Sequence, residues 1–351
     1  MEEAPPVEFA FLEDRGQSAD GTAALLTGFL AEARSTLEIA IYDMRLAGAP
    51  AQLLLEAVKA AAARGVLVRI VFNQDHPKKL PVPPPSEVDW DLVKQMGVPF
   101  RPISGVPDLM HHKYVVRDAN AVWTGSANWT TDSWTREENV IVRVVSAELA
   151  AAYRQDFEEL WSTREVSASG HFSAPWTILS GARIRPFFSP GRGQKMSHEI
   201  AHRVAAAQRR VRVASPVITS GPVLGTLAEL ISDPRADLRG IYDRTQMDEV
   251  QRQWSQNGLA GWKLEAFKTI AASGRFASKV TTPYSKGSVH DFMHAKLTVA
   301  DDTVFVGSYN LSHSGEMNAE NVLEIESAPL ANLCAGYIER IMEKYRVAIP
   351  T

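Results

Sequence analysis

Two stretches of this 351-residue chain spell the same polar pattern, and any fold it adopts has to accommodate both. The first runs His111-His112-Lys113, Asp118, Gly125-Ser126-Ala127-Asn128 and Glu138; the second runs His294-Ala295-Lys296, Asp301, Gly307-Ser308-Tyr309-Asn310 and Glu320. In both, lysine follows histidine by two residues, aspartate follows lysine by five, and glutamate follows serine by twelve. The copies differ in one interval: Asp118 precedes Gly125 by seven residues, Asp301 precedes Gly307 by six. The surplus falls at Asp118-Ala119-Asn120 against Asp301-Asp302, where a hairpin turn absorbs a change of length without disturbing its strands. So long a period is not that of a solenoid and reads as a duplicated domain.

The flanking residues repeat too. Leu26, Phe29, Leu30 and Ala33 have helical spacing and precede a strand-like run at Leu37, Ile39 and Ile41. A second helix carries Leu53, Leu54, Ala57, Val58 and Ala61, closes at Arg64-Gly65, and leads into a buried strand over 66–72. In the other half Ile200, Val204 and Ala207 form a helix face before a strand over 211–214. Val223, Leu224, Leu227 and Leu230 then predict a helix, and 238–242 a strand. This alternation predicts an α/β fold with a parallel or mixed sheet in each half. The polar stretch 162–175 separates the halves, which we divide as 1–168 and 169–351. The run Pro81-Val82-Pro83-Pro84-Pro85 is a stiff loop within the first half.

Alternate residues of a strand share a face, so His111 and Lys113 point one way, as do Ser126 and Asn128 after the turn. A hairpin of the two segments gathers an imidazole, an ammonium, a hydroxyl and an amide: a nucleophile or acid beside groups that neutralise an oxyanion. One copy offers one imidazole. Two copies about a pseudo-twofold axis offer two.

H-x-K-x4-D followed by G-S-x-N, present twice, resembles the phospholipase D superfamily, the HKD phosphodiesterases. The resemblance covers nearly the whole chain. The first half, with Gly125-Ser126-Ala127-Asn128-Trp129-Thr130 and Glu138-Asn139, is most similar to small bacterial HKD endonucleases, single-repeat proteins that dimerise to build one site. The resemblance implies two α/β/α repeats packed as a pseudo-twofold dimer, one site at the seam, and a monomer sufficient to complete it. It implies metal-independent, cofactor-free phosphodiester cleavage through a phosphohistidine. Similarity to two-repeat members makes His111 the nucleophile and His294 the general acid and base, although the near-symmetric motifs do not themselves separate the two. Lys113, Lys296, Asn128 and Asn310 are then expected on the phosphate oxygens, with Ser126 and Ser308 in support, and Glu138 and Glu320 orienting the imidazole rings. Two ammonium groups can stand in for a metal, since phosphoryl transfer is largely positioning and charge stabilisation. Asp118 and Asp301 are implied to be structural.

Lys plus Arg is 37 and Asp plus Glu is 41, a net charge of −4, which excludes a chain-wide basic coat but not a local groove. The segment 267–289 holds Lys268, Arg275, Lys279 and Lys286 without an acidic residue, interleaved with Phe267, Phe276 and Tyr284. Such a mixture suits a nucleic-acid backbone with stacked bases. It suits an anionic lipid surface almost as well. His76, Lys78 and Lys79 form a smaller counterpart, while Trp129 and Trp134 either line the entrance or pack in the core. His198-Glu199-Ile200-Ala201-His202 matches a zinc-protease string, but both histidines fall opposite the apolar face of their helix, so no metal site is expected. Cys334 is the only cysteine, which excludes an internal disulfide and a multi-cysteine zinc site. No signal peptide or membrane-spanning run is visible, and the expected compartment is the cytoplasm. The sequence reading favours a nuclease on DNA or RNA. Phospholipase D or phosphatidyl transfer on lipid head groups is the alternative, and a non-catalytic nucleic-acid or lipid binding module a third.

Overall fold

The computed structural model describes residues 5–74, 88–256, 258–285 and 287–346. His76, Lys78, Lys79, the proline run at 81–85 and Lys286 lie outside the described residues. In chain order the first half contributes β1 (Val7–Leu12), α1 (Ala19–Ala31), β2 (Thr36–Ile41), β3 (Met44–Arg45), α2 (Gly48–Ala63), β4 (Leu67–Gln74), α3 (Trp90–Gln95), β5 (Phe100–Ser104), β6 (Lys113–Arg117), β7 (Ala121–Gly125), β8 (Trp129–Thr130), α4 (Thr131–Thr135), β9 (Asn139–Val145) and α5 (Ala147–Thr163). The second contributes β10 (Thr177–Leu179), β11 (Ala182–Ser189), α6 (Gly193–Ala206), β12 (Arg210–Ser215), α7 (Gly221–Ser232), β13 (Asp237–Asp243), α8 (Arg244–Gln256), α9 (Gly261–Ala272), β14 (Phe276–Lys279), β15 (Leu297–Ala300), β16 (Thr303–Gly307), α10 (His313–Met317), β17 (Glu320–Glu326) and α11 (Ala328–Lys344).

One sheet has the order β1-β9-β7-β6-β2-β4-β5 and the other β10-β11-β17-β16-β15-β12-β13-β14. Setting β10 aside, the orders correspond strand for strand, antiparallel up to β2 and β12 and parallel beyond. The duplication in sequence is therefore a duplication of topology. Side chains alternate between two cores as the pleat requires. Ile39 and Ile41 join α1 and α2 in an outer core, while Ala40 faces a central core shared by both sheets with α5 and α11. On the far side Val211 and Val213 pack under α6 and α7 while Ala214 faces the centre. Burying a leucine or phenylalanine such as Leu26 or Phe29 of α1 stabilises by about 1.5–3 kcal/mol each, so these apolar stripes hold the helices on the sheets.

The two motif hairpins form as the spacing predicts. β6 and β7 are joined across Asp118-Ala119-Asn120, and β15 and β16 across Asp301-Asp302, so the one-residue difference is confined to the turn. Asp118 and Asp301 have φ of 54° and 49°, left-handed values that short polar side chains tolerate. Asp118 accepts the backbone N–H groups of Arg34, Ser35 and Thr36; Asp301 accepts those of Gln208, Arg209 and Arg210. The motif aspartates thus fasten the helix-to-strand connection at the far end of each hairpin.

The glycine of each G-S-x-N is dictated by a close approach. A Cβ on Gly125 would lie 2.1 Å from the carbonyl oxygen of Val140, and one on Gly307 2.0 Å from that of Asn321. Those same carbonyls accept the N–H groups of Ser126 and Ser308, so the contact that excludes a side chain also aims the next residues.

Candidate active site

The halves are joined at the motif histidines. Met110 forms a parallel bridge with Ala319, and Met293 with Glu138, so each histidine begins where its strand crosses to the other repeat. The His111 N–H donates to the Ala319 carbonyl at 2.9 Å. The residue before each histidine is also pinned from within its own repeat: Met110 N–H donates to Asn73 Oδ1 and Met293 N–H to Asp243 Oδ2, each at 3.1 Å. Asn73 and Asp243 occupy matching positions in β4 and β13 and were not singled out from the sequence.

Each imidazole takes its partner from the other repeat. His111 Nδ1 lies 2.8 Å from Glu320 Oε2, and His294 Nδ1 lies 3.1 Å from Asn139 Oδ1. Glu137 Oε2 stands 3.4 Å from the same His294 nitrogen. Lys113 Nζ and Lys296 Nζ each donate to the carbonyl of the histidine two residues before, at 2.6 Å in both copies. Asn128 and Asn310 are half-buried, and the amide oxygen of each is buried without a hydrogen-bond partner. Both amides therefore keep unspent hydrogen-bonding capacity. Tyr42, also missed by the sequence reading, packs edge-on against His111 at 4.5 Å between ring centroids, with Lys113 Nζ 4.7 Å from the centre of its ring.

Glu138 is not where the matched spacing places it. Paired strands align Asn139 with Glu320: Asn139 faces Leu12 of β1, and Glu320 faces Ser189 of the corresponding β11. One extra residue between α4 and β9 shifts the first copy, so the twelve-residue interval to Glu138 is a coincidence of spacing. Glu138 turns away from the histidines, fully buried, and binds Lys279 Nζ at 2.9 Å, the Asp14 N–H at 3.2 Å and the Tyr345 hydroxyl.

The other expected residues separate in the same way. Ser126 donates to Asn139 Oδ1 at 2.7 Å, and the Ser308 hydroxyl reaches Glu320. Both serines are completely buried and brace the histidine partners rather than facing an opening. The segment 267–289 is no single loop: Phe267 is core, Lys268 pairs with Glu265 on the surface of α9, and Lys279 is 4% exposed in β14. Arg275 lies before β14, at the end remote from Asp243 and Lys279, in a separate cleft with Arg239 and Arg346. Tyr284 lies 5.3 Å from the ring of His290, which stacks in turn on Phe292 and is close enough to His294 to act on its charge. Trp129 and Trp134 are each 2% exposed and belong to the core. Burial decided these cases, and a count of charges along the chain carries no information on depth.

His198 and His202 sit on the exposed side of α6, opposite buried Met196, Ile200 and Val204. Among the described residues no group of three or more histidine, cysteine, aspartate or glutamate side chains is arranged to hold a metal. His198→Ala should leave stability within about 0.5 kcal/mol and phosphodiester turnover unchanged, as expected for an isolated surface position. A thermal melt and a colorimetric assay with EDTA check it, and a large loss would revive a metal site.

The electrostatics are those of a dry site awaiting an anion. Burial, then the charges of Lys113 and Lys296, holds His111 well below the ordinary imidazole pKa. His294 is lowered the same way, by burial, then Lys296 and Lys113. Burial pushes Lys113 down to about 7, against the pull of Glu320 and Asp43, and Lys296 falls well below the ordinary lysine range. Burial likewise raises Glu320 and Glu137 to about 7. Each histidine feels both lysines, so the two imidazoles and two amines form one cluster across the seam. A phosphodiester there would favour charged lysines and recover part of their desolvation cost.

Duplicated sheets that exchange histidine partners across a pseudo-twofold seam define a protein of the phospholipase D class. Residues 26–161 and 200–342 match the family described as cardiolipin synthase, PLD-like domain, and the chain belongs to that family. It is a phosphodiesterase of the phospholipase D superfamily. A mitochondrial cardiolipin hydrolase of Xenopus tropicalis is 29% identical over 157 residues, 44% of this chain and 67% of that protein. A phospholipase D of Rickettsia conorii is 30% identical over 145 residues, 40% of this chain and 64% of that protein. Each of these alignments thus spans less than half of this chain and about two thirds of the relative. A phosphatidylserine synthase of Haemophilus influenzae Rd KW20 shares the fold, with a TM-score of 0.68 at 14% identity over 97% of this chain and 86% of that one. Among the described residues no helix is long and apolar enough to cross a membrane.

Proposed function

We propose that this protein cleaves, or transfers to an alcohol, the phosphodiester of a glycerophospholipid, using the paired histidines of repeats 1–168 and 169–351. What carries the substrate class is the kinship with a cardiolipin hydrolase and a phospholipase D, within a family described by a cardiolipin synthase. The nucleic-acid reading loses one of its supports, because the basic segment expected near the mouth of the site does not converge: Lys279 is consumed inside the protein and Arg275 faces another cleft. The cytoplasmic compartment rests on the sequence reading alone.

In the proposed reaction Glu320 holds Nδ1 of His111, leaving the Nε2 lone pair to attack phosphorus. The P–N bond forms as the bond to the leaving oxygen breaks, and His294 gives that oxygen its proton. Water or an alcohol then loses a proton to His294 and attacks phosphorus. The P–N electrons return to His111, and both residues regain their starting states. Lys113, Lys296, Asn128 and Asn310 hold the non-bridging oxygens throughout, stabilising charge in a site where water does not compete.

The test offers the enzyme phosphatidylglycerol or cardiolipin vesicles, single-stranded DNA, RNA and bis-p-nitrophenyl phosphate, each with EDTA. Phosphatidic acid should appear from the lipids, or a phosphatidyl alcohol when a primary alcohol is added, with the nucleic acids left intact. Nucleic-acid turnover without lipid turnover would reverse the assignment, and inertness toward all of them would favour the binding module.

A further inference from the structure

The two histidines have the same kinds of partner in exchanged positions. Strand register aligns Asn139 with Glu320, and therefore Glu137 with Asn318. In one repeat the carboxylate of Glu320 meets His111 directly and the Asn318 amide stands behind it, 3.5 Å from Glu320 Oε1. In the other the Asn139 amide meets His294 at 3.1 Å, and the Glu137 carboxylate, 3.4 Å from the same ring nitrogen, accepts from Asn139 Nδ2 at 3.1 Å.

The orientation of the Asn139 amide follows from its neighbours. Its nitrogen also donates to the Ser133 carbonyl and hydroxyl, at 3.2 and 3.0 Å, and its oxygen accepts from Ser126. The oxygen is left to face His294, so Nδ1 of that ring must be the donor. A carboxylate on Nδ1 raises the proton affinity and nucleophilicity of Nε2. An amide supplies only a dipole, and the formal charge of Glu137 acts from a longer distance. Lys296 on its own segment, Lys113 and His111 across the seam, and His290 four residues earlier all disfavour a charged ring, while Asp243 on the Met293 N–H and Glu320 on His111 are further acids of the same cluster. Glu137 is the nearest acid to the ring.

We propose that Glu137, acting through Asn139, is the positioning residue that sets the proton affinity of His294, and that the exchanged acid and amide divide the histidines into nucleophile and proton donor. A donor held by an amide releases its proton to an alkoxide more readily than one bonded to a carboxylate. The inference rests on the two-histidine reading above and adds to it the origin of the division of labour.

The test is the pH profile of kcat/KM on mixed detergent micelles of phosphatidylglycerol, whose alkoxide leaving group needs a proton. The alkaline limb reports loss of the proton from the donor. Glu137→Gln removes the carboxylate nearest to His294 and should move this limb to lower pH by about one unit; Asn139→Glu should move it to higher pH by a similar amount. Glu137→Asp should restore most of the wild-type profile. An unmoved limb in both Glu137→Gln and Asn139→Glu, or a shift of both in the same direction, overturns the inference, provided circular dichroism shows them folded. Acid quenching of the wild type with bis-p-nitrophenyl phosphate keeps the two claims apart. Phosphate on His111 upholds both. Phosphate on His294 overturns the division of roles alone, and phosphate on neither overturns the two-histidine reading itself.

Discussion

His111→Ala should lose at least about four orders of magnitude in turnover, because it removes the group that forms the bond to phosphorus, and His294→Ala should lose nearly as much. At about 1.4 kcal/mol per tenfold, that is more than 5 kcal/mol of transition-state stabilisation in each case. The two variants should fail differently. With an aryl phosphodiester the leaving group departs without a proton, so His294→Ala can still be phosphorylated on His111 but has no base to activate water. A labelled protein should accumulate after acid quenching. His111→Ala should show no label on any substrate. Mass spectrometry of the quenched proteins reads both outcomes, and substantial turnover by the two variants would end the paired-imidazole mechanism. Neither loss is expected to arise from unfolding, since the backbone around each histidine is held by Ala319, Asn73 and Asp243 independently of the ring.

The duplicated hairpins, the turn that absorbs the extra residue and the face shared by histidine and lysine were all legible in the sequence, because they depend on local spacing and the pleat. The structural role of Asp118 and Asp301 agrees with what the resemblance implied. The identity of the acid behind each histidine was not legible. Glu138-Asn139-Val140 and Glu320-Asn321-Val322 read as the same string at the same distance from serine, yet strand pairing offsets them by one residue. A one-residue slip in a strand exchanges inward and outward side chains, so the error was complete rather than partial. The only signal available was Glu137, an acid beside the expected one. Asn73, Asp243 and Tyr42 were hidden for another reason: they reach the site from β4, from β13 and from the end of β2, and no interval along the chain connects them to the motifs. Lys279 shows the converse, a cation that the sequence places at a surface and the fold places inside.

That buried cation leads to the second large effect. Glu138 and Lys279 are 0% and 4% exposed, and together they tie β9 of one repeat to β14 of the other. Lys279 also donates to the Arg136 carbonyl at 3.0 Å, and Glu138 collects the Asp14 N–H and the Tyr345 hydroxyl, so the chain's first and last described segments meet on one carboxylate. Glu138→Ala should leave the buried ammonium with only the more distant Asp14 carboxylate, 3.9 Å away, and cost about 3 kcal/mol, a large share of the about 5–15 kcal/mol that holds a typical domain folded. The loss would be read as a lowered midpoint in urea. Glu138→Leu combined with Lys279→Met removes both charges and should recover part of the difference, because it leaves no unpaired charge of the pair although the Asp14 N–H, the Tyr345 hydroxyl and the Arg136 carbonyl lose these partners. Turnover per folded molecule should survive in the double variant, with the pH profile unshifted. A lost or shifted profile there would return Glu138 to the chemistry; a stable, active Glu138→Ala would show that the pair contributes nothing. Set beside Glu137→Gln, the comparison separates neighbouring carboxylates by the quantity each controls: Glu138 the free energy of folding, and Glu137 the acidity of His294.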